Sequence, residues 1–422
     1  MSIQKKTTTM NMDKVSSDST VSQKNIVLII VVASLGYFVD IYDLIIFSIV
    51  RVQSLSDLGV PSELIRSKGE FIINMQVAGL VLGGFLWGII GDKFGRLKVL
   101  FGSIIIYSVG NILSGMVTDV PTYALIRFVT GVGLAGELGA GITLVSETMP
   151  KNKRGYGTMI VGGVGMMGTV AAFYASSLFD WRIAYYVGGG MGILLLFLRL
   201  GIFEPAMYSK TSNHISKGSL KLLFGNKERV LRYIYCICLG ITSYFVMGIL
   251  MTQSPEIGAA LGAEVPIIAG LGLVYHYIGV TIGEVFGGFF SQLTKSRKYT
   301  LVVLYLVALV ATIKYLHTVG ITQLQFNYLA FFMGIGVGYW ATFVTVASEQ
   351  FGTNLRATVT TTVPNIVRGC LIPITFVYNF LIPHFGMLNS ALILMIVLTS
   401  ISLFAVTQLK ESFSKDLNFL EE

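Results

Sequence analysis

The stretch GIIGDKFGR at residues 88–96 decides the fold, because it joins two long apolar runs through one short basic turn. Gly88 lets its helix approach a neighbour closely, and Gly95 permits a tight turn. Asp92 precedes Lys93, and its carboxylate can accept hydrogen bonds from a nearby helix N-terminus. The stretch therefore predicts two membrane helices joined by a structured basic loop.

The composition around this stretch is that of a membrane protein. Hydrophobic residues make up 54% of the 422 residues and charged residues only 12%, whereas a soluble domain carries about 25% charged residues. The cysteines, Cys236, Cys238 and Cys370, lie in apolar stretches, so we expect neither disulfides nor a metal site. The sequence contains no P-loop, and no cofactor is expected.

Apolar runs of about 20 residues are long enough to cross a hydrocarbon core of about 30 Å. We predict twelve spans, at residues 26–50, 70–90, 98–117, 122–146, 156–178, 183–202, 231–252, 266–292, 300–317, 325–347, 359–382 and 388–408. The fold class is then an all-α membrane protein with two six-helix bundles. The expected parts are a disordered tail at 1–24, an N-terminal bundle at 25–202, a cytoplasmic linker at 203–230, a C-terminal bundle at 231–408 and a second tail at 409–422.

The thirty Lys and Arg residues predict the orientation of the spans. Twenty-two fall in the tails, the linker and the loops on one side, five fall on the other side, and three lie within spans. Because cytoplasmic loops are enriched in Lys and Arg, we expect a multi-pass protein of the bacterial inner membrane with both termini in the cytoplasm. Because the net charge of +8 is accounted for by this orientation, no nucleic-acid partner is expected. The protein is also expected to be a monomer in the lipid bilayer.

The two halves of the chain share fragments at an offset of about 204 residues, which indicates an internal duplication. The matching fragments are GGF at 83–85 and 287–289, YFVD at 37–40 and YFVM at 244–247, and Glu147 with Arg154 against Glu349 with Arg356. Asp40 stands where the second half has Met247. The acid is therefore a specialisation of the first half.

These motifs together resemble the major facilitator superfamily, in its branch of sugar porters and metabolite:proton symporters. The residues that carry the resemblance are Gly88, Asp92, Lys93, Gly95 and Arg96 between spans 2 and 3, Arg127 and Gly131 in span 4, Glu147, Pro150 and Arg154 at the junction of spans 4 and 5, Asp180, Trp181 and Arg182 before span 6, and Glu204 with Pro205 after it. The resemblance covers about residues 25 to 408. It implies a secondary active transporter that works by alternating access.

The resemblance also implies an inner gate. The loop motif at residues 88–96 is expected at this gate. Glu147 and Arg154, with their copies Glu349 and Arg356, are expected there as contacts that form and break. The second-half copy of the loop, KSRK at 295–298, lacks the aspartate. We therefore expect an asymmetric gate.

Two acids in span 1 are candidates for proton coupling. Asp40 and Asp43 are three residues apart and share one helix face. Asp43 lies about 10 Å and Arg127 about 8 Å from the outer ends of their predicted spans, so we predict an Asp43–Arg127 pair. Sugar porters likewise place a proton-accepting aspartate of helix 1 against an arginine of helix 4. The alternative is a static ion pair that holds spans 1 and 4 together.

Arg368 and His276 are candidates for substrate binding near the middle of the membrane. The guanidinium of Arg368 can bind a carboxylate or phosphate bidentately, and the equal alternative is an internal ion pair with Glu284 or Glu137. His276 can relay protons or donate to substrate, or form a simple bond between helices. The further cavity candidates are Gln76, Glu137, Tyr339, Trp340 and Asn365.

The favoured function is proton symport of a small metabolite, with an amino acid or an organic acid as the solute. Symport of a sugar or of phosphate, and proton-driven export, are alternatives. A membrane enzyme would need a nucleophile–base constellation or a metal cluster within the spans, and the sequence has neither. We therefore expect no catalysis, and a channel fits two duplicated halves less well than alternating access does.

Overall fold

The computed structural model describes residues 23–94, 96–137, 139, 141, 145, 154–203, 220–413 and 421. The regular elements within these ranges are all helices. Most of the predicted first tail and linker lie outside the described residues, as do Gly95, Glu147, Pro150, Glu204 and Pro205.

The first half supplies six helical passes. Spans 1 to 3 are the helices Gln23–Asp57, Ser62–Phe94 and Arg96–Ser114. Span 4 begins with Val120–Leu134, span 5 consists of Arg154–Met166 and Gly168–Leu178, and span 6 is Trp181–Phe203. Span 1 is longer than predicted because its helix continues to Asp57, beyond the apolar run.

The second half has more interrupted helices. A short helix, Leu220–Phe224, precedes span 7, which consists of Lys227–Phe245 and a π-helical segment, Val246–Met251, and is followed by Ser254–Ala260. Spans 8 and 9 are Ala269–Thr294 and Arg297–Leu316. Span 10 consists of Gln323–Val337 and Trp340–Gln350, span 11 begins with Thr353–Gly369, and the helical stretch Leu371–Gln408 contains the end of span 11 and all of span 12.

The described residues contain nine helical segments that are long and apolar enough to cross a membrane. One of them, Asn354–Gln408, holds two passes, and the shorter apolar helices Lys98–Ser114 and Val120–Leu134 add two more. These passes account for the twelve spans of the predicted fold.

A glycine reverses the chain between spans 11 and 12. Gly386 has φ 75° and ψ 165°, a conformation that glycine adopts without a steric penalty. The hydroxyl of Tyr378 donates to the carbonyl of Met387 at 3.4 Å. A straight helix would separate these two residues by about 13 Å, so the chain turns back here.

The same glycine-mediated crossing occurs in both halves. A side-chain carbon on Gly79 of span 2 would overlap the carbonyl of Phe128 in span 4, and one on Gly279 of span 8 would overlap the carbonyl of Phe331 in span 10. In each case only glycine allows the backbones to approach this closely. The two halves therefore share this helix packing, at glycines outside the matching fragments of the sequence.

The two halves meet mainly along spans 2 and 11 and along spans 5 and 8. The amide of Asn365 in span 11 donates to the carbonyl of Ala135, next to the end of the described span 4 helix, at 2.9 Å. Gly84 of span 2 lies against the same side chain, since a carbon added there would be 3.0 Å from the Cβ of Asn365. Asn365 is therefore a contact between the halves.

Candidate transport site

A narrow central cavity lies between the two halves. The first half lines it with Tyr37, Ile41, Leu44 and Met166. The second half lines it with Ser243, Tyr244, Met247, His276, Tyr277, Val280, Val337, Trp340 and Arg368. The wall is thus largely aromatic, with some polar atoms, and Arg368 is the one charged side chain among its described residues.

Arg368 has no acidic partner among the described residues. Its Nη1 donates to Oδ1 of Asn365 at 3.3 Å, and its guanidinium lies 5.7 Å from the centre of the Trp340 ring. Glu284, one of the acids considered for it, instead accepts the backbone N–H of Ala341 at 3.0 Å. Glu284 thereby caps the second helix of span 10, where the chain is broken after Val337.

Glu137, the other acid considered for Arg368, is bound elsewhere. Both of its carboxylate oxygens accept hydrogen bonds from the guanidinium of Arg199 in span 6. Nη1 of Arg199 also donates to the carbonyl of Leu100 in span 3 at 3.1 Å. Both side chains are buried, so the pair joins spans 3, 4 and 6 away from the cavity wall.

The predicted Asp43–Arg127 ion pair is wrong for this conformation. Arg127 donates to the backbone carbonyl of Asp43 at 2.7 Å and to Oδ1 of Asn111 at 3.0 Å. Arg127 thus reaches span 1 at the predicted depth, but it contacts the main chain and not the Asp43 carboxylate. Asn111 and the ring of Tyr185 lie against other parts of its guanidinium. Within the described part of the chain, neither carboxylate oxygen of Asp43 has a hydrogen-bond partner.

Asp40 is also buried, and its carboxylate also lacks a hydrogen-bond partner among the described residues. The charged groups that act on it are Arg368, which has the larger effect, and Glu137. Asp40 and Arg368 do not form an ion pair in this conformation. A buried acid of the first half thus faces the unpaired cation of the second half without contacting it.

His276 lies on the cavity wall with a defined tautomer. Its Nδ1 lies 3.3 Å from the carbonyl of Ala330 in span 10. Since a carbonyl oxygen can only accept, Nδ1 carries the proton, and Nε2 of the neutral ring is then an acceptor. The residue therefore forms the bond between helices that was one of its two predicted roles, and one nitrogen remains for other partners.

Of the other cavity candidates, Trp340 lines the cavity, whereas Gln76 and Tyr339 contact residues around it. Gln76 is directed at the carbonyl of Leu44 at 3.5 Å, and Tyr339 packs edge-on against Tyr305 behind the wall. Tyr37 and Tyr244 line the cavity and were not selected from the sequence. Their matching positions in the duplicated YFVD and YFVM fragments were the signal that could have indicated them.

A network of polar side chains joins the halves at the end of the pathway opposite to the termini. We call it the cross-half network. Arg51 of span 1 donates to Glu256 at 2.9 Å and to the carbonyl of Thr252 at 3.2 Å. Glu70 of span 2 accepts from Gln253 at 2.9 Å. Arg66 and Asn379 complete the network, with Arg66 donating to Glu70 at 3.0 Å and to Asn379 at 2.6 Å, and Asn379 donating to Glu70 at 2.9 Å. This end of the pathway is closed in the structure.

The predicted inner-gate residues are only partly described. The side chains of Asp92, Lys93, Arg96 and Arg154 lie outside the described residues, although their backbones are helical. Gly88 faces span 11 of the other half, since a carbon added there would be 3.8 Å from the side chain of Thr362.

In the second half, Glu349 contacts Arg297, of the KSRK loop, at 3.5 Å and accepts from Ser412 at 2.7 Å. Arg356 donates to the backbone carbonyls of Ser348 at 3.2 Å and of Phe351 at 3.3 Å. The loop that lacks the aspartate is thus bound through its arginine to the acid at the end of span 10.

The comparisons with known proteins agree with this architecture. Residues 33–369 match the family described as the Major Facilitator Superfamily. The chain is 26% identical over 265 residues to the sialic acid transporter NanX of Escherichia coli, covering 61% of this chain and 63% of that protein. It is 23% identical over 347 residues to the cis,cis-muconate transport protein of Acinetobacter baylyi, covering 77% and 80%. The fold is similar to that of the proton:xylose symporter XylE, with a TM-score of 0.68 and 18% identity over 94% of this chain and 98% of that one.

A helical bundle in two matching halves, with a central cavity between them, is the architecture of a membrane transporter. The chain belongs to the major facilitator superfamily. It is a multi-pass membrane protein and a secondary transporter of small metabolites.

Proposed function

We propose that this protein is a proton symporter that carries a small organic acid, as its monoanion, across the bacterial inner membrane into the cell. The observation that carries the proposal is the wall of the central cavity. It presents one guanidinium, Arg368, which has no acidic partner among the described residues, in a surface that is otherwise uncharged and largely aromatic. A buried cation without a counter-ion is unfavourable, and a carboxylate would supply the missing charge and accept two hydrogen bonds.

The same wall argues against other solutes. A zwitterionic amino acid would need an acceptor for its ammonium group, and the described lining residues include no carboxylate. A neutral sugar can bond to polar atoms of the wall such as those of Tyr37, His276 and Trp340, but it would leave Arg368 without a counter-ion. The cavity therefore favours an organic acid over the amino acid that the sequence had equally suggested. The relatives named for sialic acid and for cis,cis-muconate also transport organic acids.

Proton coupling follows from the placement of Asp40 and Arg368 on opposite sides of the boundary between the halves. When an anion binds to Arg368, it offsets the positive charge that stabilises the carboxylate of Asp40. Asp40 then binds a proton more readily, and the loaded site is close to neutral. A neutral load makes the change of conformation less costly in a low dielectric. Proton and anion are thereby favoured together.

The direction of access is assigned from the loop charges. The basic loops place the termini in the cytoplasm, so the cross-half network closes the outer end of the pathway. Rocking of the halves would break this network and admit solute and proton from outside. A single chain contains both halves and the whole cavity, so the functional unit is a monomer.

The test is a ligand screen on the purified protein followed by uptake into liposomes. Thermal shifts with small monocarboxylates, amino acids and neutral sugars would identify the solute class, and monocarboxylates are expected to stabilise. An imposed inward proton gradient should then drive accumulation of the stabilising acid. Arg368→Gln should lose the thermal shift, whereas Lys314→Gln, which removes an exposed cation at the end of span 9, should retain it. Stabilisation by neutral sugars alone would overturn the proposal.

A further inference from the structure

Three acids lie in a row along one face of span 1, namely Asp43 and Asp40 of the span itself and Glu137 of span 4. Gly36, Asp40 and Asp43 are spaced four and three residues apart, so they lie one above the other at about one helical turn each. Gly36 has no side chain, and the position that one would occupy is taken by a carboxylate oxygen of Glu137 and by Nη2 of Arg199. Glu137 therefore extends the series Asp43, Asp40 by one step towards the basic side of the membrane.

The groups that face each acid come from separate spans. Asp43 is faced by Arg127 of span 4 and by Asp40. Asp40 is faced by Arg368 of span 11 and by Glu137. Glu137 is bound by Arg199 of span 6, and Tyr107 of span 3 lies beside this pair. The carboxylates of Asp43 and Asp40 have no hydrogen-bond partner in the described ranges, whereas both carboxylate oxygens of Glu137 are bound by Arg199.

We propose that Glu137 is the exit acid of a proton line that runs from Asp43 through Asp40 to the basic side, and that Arg199 is the positioning residue that returns Glu137 to its ionised state. This inference rests on the proposed proton symport and adds the route of the proton within it.

The transfer step conserves charge and atoms. The O–H bond of protonated Asp40 breaks, and an O–H bond forms on the carboxylate of Glu137, directly or through one water molecule. Arg199 then loses a charged partner but keeps its bond to the carbonyl of Leu100. When the basic side opens, Glu137 releases the proton to water and the ion pair forms again. Re-formation of the pair favours release over return of the proton to Asp40.

The absence of a side chain at residue 36 is part of the arrangement. A methyl group there would separate Glu137 and Arg199 from the face of span 1. A glycine in the middle of a helix has a lower helix propensity than alanine. In span 1 it permits the ion pair to lie within one turn of Asp40.

The main test uses the double variant Glu137→Gln/Arg199→Gln, which removes both charges and leaves no buried unpaired ion. In liposomes, exchange of labelled solute at equal pH should persist. Accumulation driven by a proton gradient should fall to the level without a gradient, and the number of protons taken up with each solute should fall from one towards zero. Glu264→Gln, which removes an acid from an exposed loop, is the matched control and should behave like the wild type.

A purely structural ion pair predicts the opposite result, since the double variant would then accumulate solute with the wild-type proton count. That outcome would overturn the proton line. Glu137→Asp provides a second measurement that keeps the ion pair within reach. It should slow gradient-driven uptake several-fold and shift its pH profile while exchange is retained, and an unchanged profile would also contradict the proposal. If the wild-type protein itself shows no proton-driven uptake, the proposed symport fails. This result is distinguishable from the two contradicting results for the variants, since in those the wild type accumulates solute.

Discussion

The two halves of the molecule share their helix crossings but differ in their buried charges. In both halves a glycine of one span lies against the carbonyl of another, at Gly79 with Phe128 and at Gly279 with Phe331. Within the described part of the chain, the first half then adds two buried acids, Asp40 and Asp43, whose carboxylates accept no hydrogen bond, and the second half adds one buried cation, Arg368, without an acidic partner. Duplication therefore explains the scaffold, whereas the proposed chemistry of transport depends on the positions at which the copies diverged.

The acid Glu284 shows how the same residue type is used differently in the second half. It accepts the backbone N–H of Ala341 and stabilises the broken span 10. Asp40 of the first half has no such bond in the described structure. The oxygens of an acid that caps a helix are occupied by backbone N–H groups, whereas the oxygens of an acid without donors are available to a proton. The comparison predicts separate effects for changes in the two halves.

The largest expected effect comes from removing Asp40, the acid of the first half that faces Arg368. With one proton per solute, a gradient of one pH unit supports about tenfold accumulation, since it corresponds to about 1.4 kcal/mol. Asp40→Asn should reduce this accumulation to none while exchange at equal pH continues. The measurement is uptake of labelled solute into liposomes, with Glu63→Gln at the exposed start of span 2 as the control. Undiminished accumulation in Asp40→Asn would remove the distinction between the halves.

The next effect concerns the contact between the halves. Arg51→Gln should weaken the cross-half network, because a hydrogen bond to a charged group contributes about 1.5–3 kcal/mol. The equilibrium should therefore shift by about tenfold or more towards the conformation that is open at the end closed by this network. Reactivity of a cysteine introduced at Asn74, which lines the space below this network, should rise accordingly.

The charge exchange Arg51→Glu/Glu256→Arg provides the control for this network. It restores the ion pair with the two charges exchanged, and it should return the reactivity at residue 74 towards that of the protein with Arg51 and Glu256 in place. Equal reactivity in all three proteins would show that the network does not hold this end closed.

A smaller effect is expected from the aromatic wall of the second half. Trp340 lies over Arg368 and lines the cavity, and cation–π contacts contribute about 0.5–2 kcal/mol. Trp340→Leu should raise the apparent KM about 3- to 10-fold and leave the number of protons per solute unchanged. A change in the proton count with unchanged KM would place coupling, contrary to the comparison, in the second half.

The smallest effect concerns a tail of the second half, outside the membrane. Burial alone would raise the pKa of Glu411, but hydrogen bonds from Ser296 and from the backbone N–H groups of Arg297, Phe413 and Lys298 hold its pKa below the ordinary value. Because the pKa is lowered by folding, the stabilising contribution is present above the ordinary carboxylate pKa and is lost as the pH falls through the lowered value. Glu411→Gln should reduce stability at pH 7 by about 0.3–1 kcal/mol.

The measurement for Glu411 is the Tm of the purified protein at several pH values. The difference between wild type and Glu411→Gln should be present at pH 7 and disappear in acid. A difference that is equal at all pH values would indicate that the carboxylate charge is not responsible.

The sequence by itself determined the membrane class, the twelve spans and the duplication. These properties depend on local quantities, namely the length of an apolar run, the cost of a charge in lipid, and the spacing of glycines along one helix. For the same reason the sequence located the chemically important residues Asp40, Asp43, His276 and Arg368, since polar groups within an apolar run are conspicuous without any knowledge of their neighbours.

Only the tertiary structure decided which of these groups meet. Arg127 reached the main chain of span 1 in place of the carboxylate of Asp43, and Glu137 bound Arg199 in place of Arg368. The partners in the Glu137–Arg199 pair are 62 residues apart, and those in the Arg51–Glu256 pair are 205 apart. Depth within a span can be counted from the sequence, but rotation of a helix about its axis depends on packing against its neighbours. A rotation of one residue, about 100°, is sufficient to exchange one partner for another.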